Sequence, residues 1–280
     1  PTYAYYKHKY YRYLLRISGK KFQRHFNFYS FIDKKQARIK YKDEKYYLTS
    51  EEQDWRFSSE GTGVFSYIFG LEERTKYINE VYMLDYLTIN KGDVVIDCGA
   101  AQGLFYLAVK KFSPDYYGFE PSPVQFEDLD YNLKNPKNIF NKALWDKTGM
   151  TIDFYLNDWN NDSSIIKPEE YDEIISIETV TLDDFIKSIN KNVRLLKIEA
   201  EGAEPEVLEG LNKYIRNVEY ISIDAGFERN GNSTISECVH YLIGKNFELI
   251  KFYQPRVGLL FRNKEFQNAW FIFFKPWIFF

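Results

Sequence analysis

Two cysteines in 280 residues, Cys98 and Cys238, cannot make a disulfide framework, and their scarcity favours a reducing compartment. Histidines are nearly as few. His8 and His25 fall in a basic opening stretch, and His240 stands two residues from Cys238, the wrong spacing for two ligands on one helix face, so no metal site is expected. Asp158, Asp162, Glu199 and Asp224 are the carboxylates a magnesium ion would gather, and no spacing among them demands one. No run of about 18 apolar residues occurs, so no segment is expected to span a membrane. The opening residues are rich in Tyr and Lys and carry no signal-peptide pattern, so a cytoplasmic location is expected. Internal repeats are absent too, which excludes solenoids and propellers.

What the chain does have is apolar and aromatic residues, 45% and 19% of the total, with 24 Tyr and 24 Phe. That is ample for a core, and the aromatic excess reads as compositional bias rather than as a binding surface. Net charge is −3, yet residues 1–45 hold 13 basic and 3 acidic residues, and the remainder carries −13. A basic arm on an acidic body suggests a polyanionic partner or an anionic membrane surface. Between Tyr5 and Ile17 the arm reads either as an amphipathic interfacial helix or as a solvated segment packed on its own body. Ala37, Ile39 and Tyr41 alternate with Arg38, Lys40 and Lys42, so a hairpin is expected within Phe31 to Tyr47. The chain thus divides into a basic extension over 1–55 and a main domain over 56–280.

The main domain is organised around residues 93–103. Val94, Val95 and Ile96 form the short β-branched run of a strand buried on both faces. It ends in Asp97-Cys98-Gly99-Ala100-Ala101-Gln102-Gly103, and from Leu104 the pattern turns helical, with Leu104, Leu107, Ala108 and Phe112 on one face. Strand, glycine turn and helix make the ligand crevice of a doubly wound sheet. The order is not the G-x-G-x-x-G of a dinucleotide site, and Gly103 is not followed by the Lys-Ser/Thr of a phosphate loop. An acid at the strand tip suits a cationic ligand instead, such as the ammonium and sulfonium of S-adenosylmethionine. Tyr116 to Glu120 reads as the next strand and ends in a carboxylate 23 residues after Asp97, the place of an acid that grips a ribose diol. A nucleotide fold with a degenerate turn, or two unrelated strand-end acids, also fits the turn alone.

Around that centre the elements alternate. A helix is expected over Glu72 to Thr88, and another after Pro121-Ser122-Pro123. Strands are expected at Asn138 to Leu144, Thr151 to Leu156, Ile174 to Val180, Val193 to Glu199, Val218 to Asp224, Phe247 to Phe252 and Ala269 to Phe274. Glu60 to Gly63 reads as a turn, and Asn157 to Ser164 as a polar loop of the kind that covers a site. A helix opens at Pro205 and runs through Leu211, and another runs from Ser233 to Gly244. The expectation is α/β, an open, mostly parallel sheet with an antiparallel edge.

Four ordered motifs sharpen this: Asp97-x-Gly99-Ala100, Phe119-Glu120-Pro121-Ser122-Pro123, Thr181-Leu182-Asp183-Asp184, and Leu195-Leu196-Lys197-Ile198-Glu199-Ala200-Glu201-Gly202-Ala203-Glu204. Together, over roughly residues 60–262, they resemble the FkbM-type methyltransferases. That resemblance implies a Rossmann-like class I methyltransferase sheet, S-adenosylmethionine as cofactor, and O-methylation of hydroxyls in sugars, glycans and natural products. It places Asp97, Gly99 and Gly103, with Cys98, Ala100 and Ala101 in the same turn, along the methionine part of the donor. Glu120 would hold the ribose hydroxyls, Pro121 and Ser122 would shape the turn beside the adenosine, and Asn141, Lys142 and Ala143 would pass near the adenine. The family usually has Asn where Ala101 stands and Asp where Glu199 stands.

Transfer of a methyl group to a hydroxyl needs alignment, exclusion of water and a base. Glu199, at the tip of the fourth central strand, is the first candidate for that base. The same residue also fits a contact to the donor's ammonium or to the next turn. Lys197 falls on the same face as Glu199, fitting a structural ion pair, and Asp224 ends the neighbouring strand. Tyr67, Tyr77 and Trp159 are candidates to stack on a sugar. The leading reading is a sugar-directed O-methyltransferase. Methylation of RNA ribose and a non-catalytic nucleotide-binding scaffold stand as alternatives.

Overall fold

The computed structural model describes residues 10, 13–14, 16–32, 37–49, 54–58, 66–134, 136–157 and 163–266. Most of the Tyr5 to Ile17 segment, the turn at Glu60 to Gly63, the loop residues Asp158, Trp159 and Asp162, and the apolar stretch Ala269 to Phe274 lie outside the described residues. In chain order the helices are α1 (Gly19–Ile32), α2 (Leu71–Val81), α3 (Leu104–Val109), α4 (Pro123–Leu133), α5 (Leu182–Ile189), α6 (Glu204–Glu209) and α7 (Ile235–Gly244). The strands begin with β1 (Ile39–Lys42), β2 (Lys45–Leu48), β3 (Trp55–Phe57), β4 (Val94–Cys98), β5 (Asp115–Phe119), β6 (Ile139–Phe140) and β7 (Ala143–Leu144). They continue with β8 (Thr151–Leu156), β9 (Glu173–Val180), β10 (Val193–Ile198), β11 (Val218–Asp224), β12 (Phe247–Tyr253) and β13 (Gly258–Asn263). Among the described residues no helix is long and apolar enough to cross a membrane.

The basic extension is more than an arm. Phe22, Phe26 and Ser30 recur every fourth residue and are buried, which gives α1 an inward face that its many cations hide in the sequence. The expected hairpin is present as β1 and β2, paired antiparallel with Lys42 opposite Lys45. β3 adds a third strand, so the boundary expected after residue 55 falls inside a strand of the N-terminal sheet. This unit buries Phe22, Phe26, Tyr46, Trp55 and Phe57 and packs them against Leu104, Leu107 and Leu133 of the main domain. The Arg56 guanidinium and the Ser58 N–H both donate to the buried Asp128 carboxylate of α4, at 2.7 and 2.5 Å.

The main sheet runs β6-β5-β4-β10-β11-β13-β12. Strands β6, β5, β4, β10 and β11 are parallel, and β13 is antiparallel to both of its neighbours. This is the class I methyltransferase sheet that the motifs imply. One face packs Ile96, Leu196, Ile198 and Ile221 against α5, α6 and α7. The other packs Val95, Leu195, Tyr220 and Leu260 against α2 and α3. Strand order reverses between β4 and β10, so the crevice lies beyond their carboxyl ends.

Three elements differ from expectation. The helix expected over Glu72 to Thr88 stops at Val81, because Met83 takes a left-handed conformation (φ 54°) and a short 3₁₀ turn follows. The single strand expected over Asn138 to Leu144 splits into β6, which extends the main sheet, and β7, which joins β9 and β8 in a side sheet. The terminal hairpin is closed by β13, a run of buried Leu259, Leu260 and Phe261 that strict alternation does not reveal.

Candidate active site

Asp97 and Lys197 stand opposite each other on adjacent parallel strands. A register shift between Val193 and Leu195 produces that pairing: Arg194 is the unpaired extra residue, and with Arg194 paired in an unshifted ladder Lys197 would oppose Cys98 and face the side of the sheet away from Asp97. Lys197 Nζ lies 3.0 Å from Asp97 Oδ1, donates to the carbonyls of Cys98 and Gly99 at 3.0 and 2.6 Å, and stands 3.4 Å from Glu199 Oε2. On the far side the Tyr116 hydroxyl donates to Asp97 Oδ2 at 2.5 Å. Its ring reaches there over Gly118, where a Cβ would come within 3.1 Å of it. Burial works to lower the Lys197 pKa, but the Asp97 and Glu199 carboxylates outweigh it and hold the ammonium above its ordinary value. The Asp97 carboxylate is therefore paired with an ammonium beneath the crevice. It does not line the cavity, contrary to the expectation that its charge would face a cationic ligand.

The glycine turn also serves the protein itself. Gly99 (φ +74°) lies so close to β10 that a Cβ would fall 2.0 Å from the Glu199 carbonyl oxygen. Gly103 (φ +93°) caps α3, and a Cβ there would meet Leu133 at 2.6 Å. Gly103 does not line the cavity. Cys98, Gly99, Ala100 and Ala101 do.

Glu120 is almost fully buried yet faces the cavity. Its two carboxylate oxygens accept the backbone N–H groups of Ala101 and Ser122 at 2.7 and 2.8 Å. Burial raises its pKa to about 7 against the pull of those two amides. Each oxygen keeps an acceptor site beyond the amide it already holds. Pro121, Lys142 and Ala143 complete this end of the wall. Ser122 and Asn141 do not line it. Ser122 caps α4, and the Asn141 amide donates to the Glu120 and Pro121 carbonyls at 2.9 and 3.0 Å, fixing the turn from behind.

At the other end, Glu199 lines the cavity at the tip of β10. The Tyr82 hydroxyl donates to its Oε2, and Arg256 Nη2 donates to Oε1 at 2.9 Å. Burial alone would raise the Glu199 pKa, but Lys197 and Arg256 outweigh it and hold it well below the ordinary range. Asp224 does not line the cavity. It sits behind Glu199, 2.6 Å from the same Arg256, with its pKa raised by burial and by the Glu199 charge. Tyr82, Arg256, Arg74 and Ile78 were invisible as site residues in the sequence, since each comes from outside the motifs. Of the aromatics proposed to stack on a sugar, Tyr67 lines the cavity, whereas Tyr77 lies under the Arg74 guanidinium.

The cavity measures about 320 Å³. A fixed carboxylate with free acceptor sites at one end suits a ribose diol, and the Glu201 carboxylate that also lines the wall suits a cationic ligand. The residues present fit S-adenosylmethionine. Replacing Lys197 by Met strands the buried Asp97 without its cation, and a stability loss of about 3–5 kcal/mol is expected in urea unfolding. A loss under about 1 kcal/mol would show that the pair holds nothing in place.

Solved structures similar to this chain include a TehB-like SAM-dependent methyltransferase from Corynebacterium glutamicum ATCC 13032 Kitasato, at 13% identity and TM-score 0.37 over 66% of this chain and 88% of that one. A fibrillarin/Nop5p complex matches at 12% and 0.43 over 80% and 97%. Magnesium protoporphyrin IX methyltransferase from Synechocystis PCC 6803, with bound SAM, matches at 8% and 0.42 over 69% and 79%. No curated protein matches the chain. The profile of the Methyltransferase FkbM domain, by contrast, matches residues 97–266, from the tip of β4 to just beyond β13. The chain belongs to the FkbM methyltransferase family and is an S-adenosylmethionine-dependent methyltransferase.

Proposed function

We propose that this enzyme methylates a hydroxyl oxygen, and that the hydroxyl belongs to a sugar in a glycan, glycolipid or nucleotide sugar. The observation that carries this reading is Glu199, a carboxylate on the cavity wall kept ionised by Lys197 and Arg256. S-adenosylmethionine supplies, when bound, an electrophilic methyl group. A hydroxyl undergoing alkylation becomes strongly acidic, so even a weakly basic carboxylate can orient it and accept its proton. Tyr82, Lys197 and Arg256 hold Glu199 in one orientation for that task. Asp224 and Glu228 stand behind Arg256, at 2.6 and 3.7 Å. The resemblance to FkbM-type enzymes supplies the sugar.

The exposed side of α1 supports a partner beyond the acceptor. Lys20, Lys21 and Arg24 stand there beside Phe28, Phe31 and Ile32, and the helix has no acidic residue. Cations next to exposed apolar side chains favour peripheral contact with an anionic membrane over RNA, and a cytoplasmic location belongs to the same proposal. The cations alone favour RNA ribose methylation, the second reading.

Labelled donor offered to surface glycans, nucleotide sugars and RNA is expected to label carbohydrate; label confined to RNA ribose, or to an amine, would refute the proposal. At saturating donor, kcat should stay flat from about pH 6 to 9, whereas an amine acceptor would make it climb as the amine loses its proton. Glu199→Gln should lower kcat by about a hundredfold and leave donor affinity within about threefold. Unchanged turnover would remove the base.

Glu120 adds a separate test. Below its pKa of about 7 the carboxyl carries a proton that it must give up to accept two ribose hydroxyls. Donor affinity should therefore rise with pH through that value, by at most about tenfold per unit, and level off above it. Calorimetry in buffers of different ionisation enthalpy should detect proton release on binding near pH 6. A proton count of zero from pH 5 to 9 would detach Glu120 from the ribose.

A further inference from the structure

Four cationic side chains line the cavity among the described residues, and three are already matched. Lys142 meets Glu178 at 2.8 Å, Lys197 meets Asp97 at 3.0 Å, and Arg256 meets Asp224 at 2.6 Å. Arg74, in the first turn of α2, has no carboxylate partner among the described residues. Its Nε is buried and makes no hydrogen bond, while its guanidinium lies over the Tyr77 ring, 4.9 Å from the centroid. Beside it the buried Tyr67 hydroxyl, also on the cavity wall, has no hydrogen-bond partner either. The Trp55 indole approaches that hydroxyl without completing a bond. Burial pushes the Tyr67 pKa up to about 12, so the hydroxyl keeps its proton and remains a donor. The ring is fixed by parallel stacking on Phe57 at 5.0 Å, within the core of the N-terminal unit.

The Arg74 Nε and the Tyr67 hydroxyl are thus two buried donors without a partner in the wall of one cavity, and an acceptor brought by a ligand would complete both. We infer that Tyr67 and Arg74 form a carboxylate-binding subsite, and that its occupant is the carboxylate of the amino-acid end of S-adenosylmethionine. The inference rests on the donor use already described and adds a site that precedes the family-matched segment 97–266. An anion on the acceptor would have the same chemistry. The donor always carries its carboxylate, however, while a hydroxyl acceptor needs none, and no other lining cation among the described residues is unmatched. Placement agrees. α2 packs on α3, the helix that follows the glycine turn, and Ile78 and Tyr82 bring the same side of the molecule to the cavity beside Phe105. Glu120 serves the ribose from beyond β5, which leaves the α2 side for the amino-acid end.

The test compares S-adenosylmethionine with its decarboxylated form, which keeps the sulfonium and the amine but lacks the carboxylate. By calorimetry on the full chain, the unaltered enzyme should prefer the complete donor by about tenfold to a hundredfold. Arg74→Gln should erase that preference by weakening only the complete donor, Arg74→Lys should restore part of it, and Tyr67→Phe should reduce it. A preference that survives Arg74→Gln overturns the inference and assigns the anion to the acceptor. Equal weakening of both ligands also overturns it, since it marks a merely structural arginine. Equal binding of both ligands by the unaltered enzyme sinks the subsite alone, whereas binding of neither sinks the reading of the donor pocket as well.

Discussion

The ion pair between Asp97 and Lys197 sits where the strand order reverses, and most of the site is arranged around it. Two charges so deeply buried do not raise stability by their attraction alone, since desolvation offsets it. What the pair contributes is position. One ammonium, surrounded by oxygens from Asp97, Cys98, Gly99 and Glu199, fastens the end of β4 and the start of its turn to the tip of β10. Tyr116 extends the connection to β5. With the strand ends held so, the glycine turn presses against the Glu199 carbonyl, and the Glu199 side chain is directed into the cavity.

This reverses the simplest reading of the strand-tip acids. Asp97 and Glu120 look equivalent in sequence, each ending a parallel strand, and only Glu120 faces the cavity. The difference arises from a neighbour that sequence spacing cannot supply. Lys197 pairs with Asp97 only because Arg194 inserts one residue into the register of β10, and a bulge of that kind leaves no signal in alternation. The glycines were legible as necessary but not for their reason: both bare faces meet protein. The strand-turn-helix order, the acid after β5 and the run of strands were legible because burial on both faces produces continuous β-branched runs. Arg74, Tyr82 and Arg256 were not, because each arrives from a segment whose only local pattern is that of an ordinary helix or turn.

The N-terminal unit shows the same limit on a larger scale. Its charge suggested an arm, and charge does dominate its outer face. Its inner face is nevertheless a packed aromatic core continuous with the main domain through Leu104, Leu107 and Leu133. Asp128 anchors it by accepting from Arg56 and Ser58. Since Phe57 stacks on Tyr67, and Tyr67 is cavity wall, the extension shapes a pocket whose floor comes from the strand-end motifs.

Around the tip of β10, acid and base properties are divided by burial and by one arginine. Arg256 lies within reach of three carboxylates, Glu199, Asp224 and Glu228, at 2.9, 2.6 and 3.7 Å. A single guanidinium cannot stabilise all three as anions in a poorly solvated place. Glu199 has Lys197 and the Tyr82 hydroxyl as further partners and stays ionised. Asp224 and Glu228 lack such help, so burial and repulsion from the carboxylates around them, Glu199 and Glu204 among these, raise their pKa values. Neighbouring carboxyl groups driven apart in this way assume different roles. Any proton the cluster must carry rests on the pair behind Arg256, and the negative charge is kept on the residue that faces the cavity.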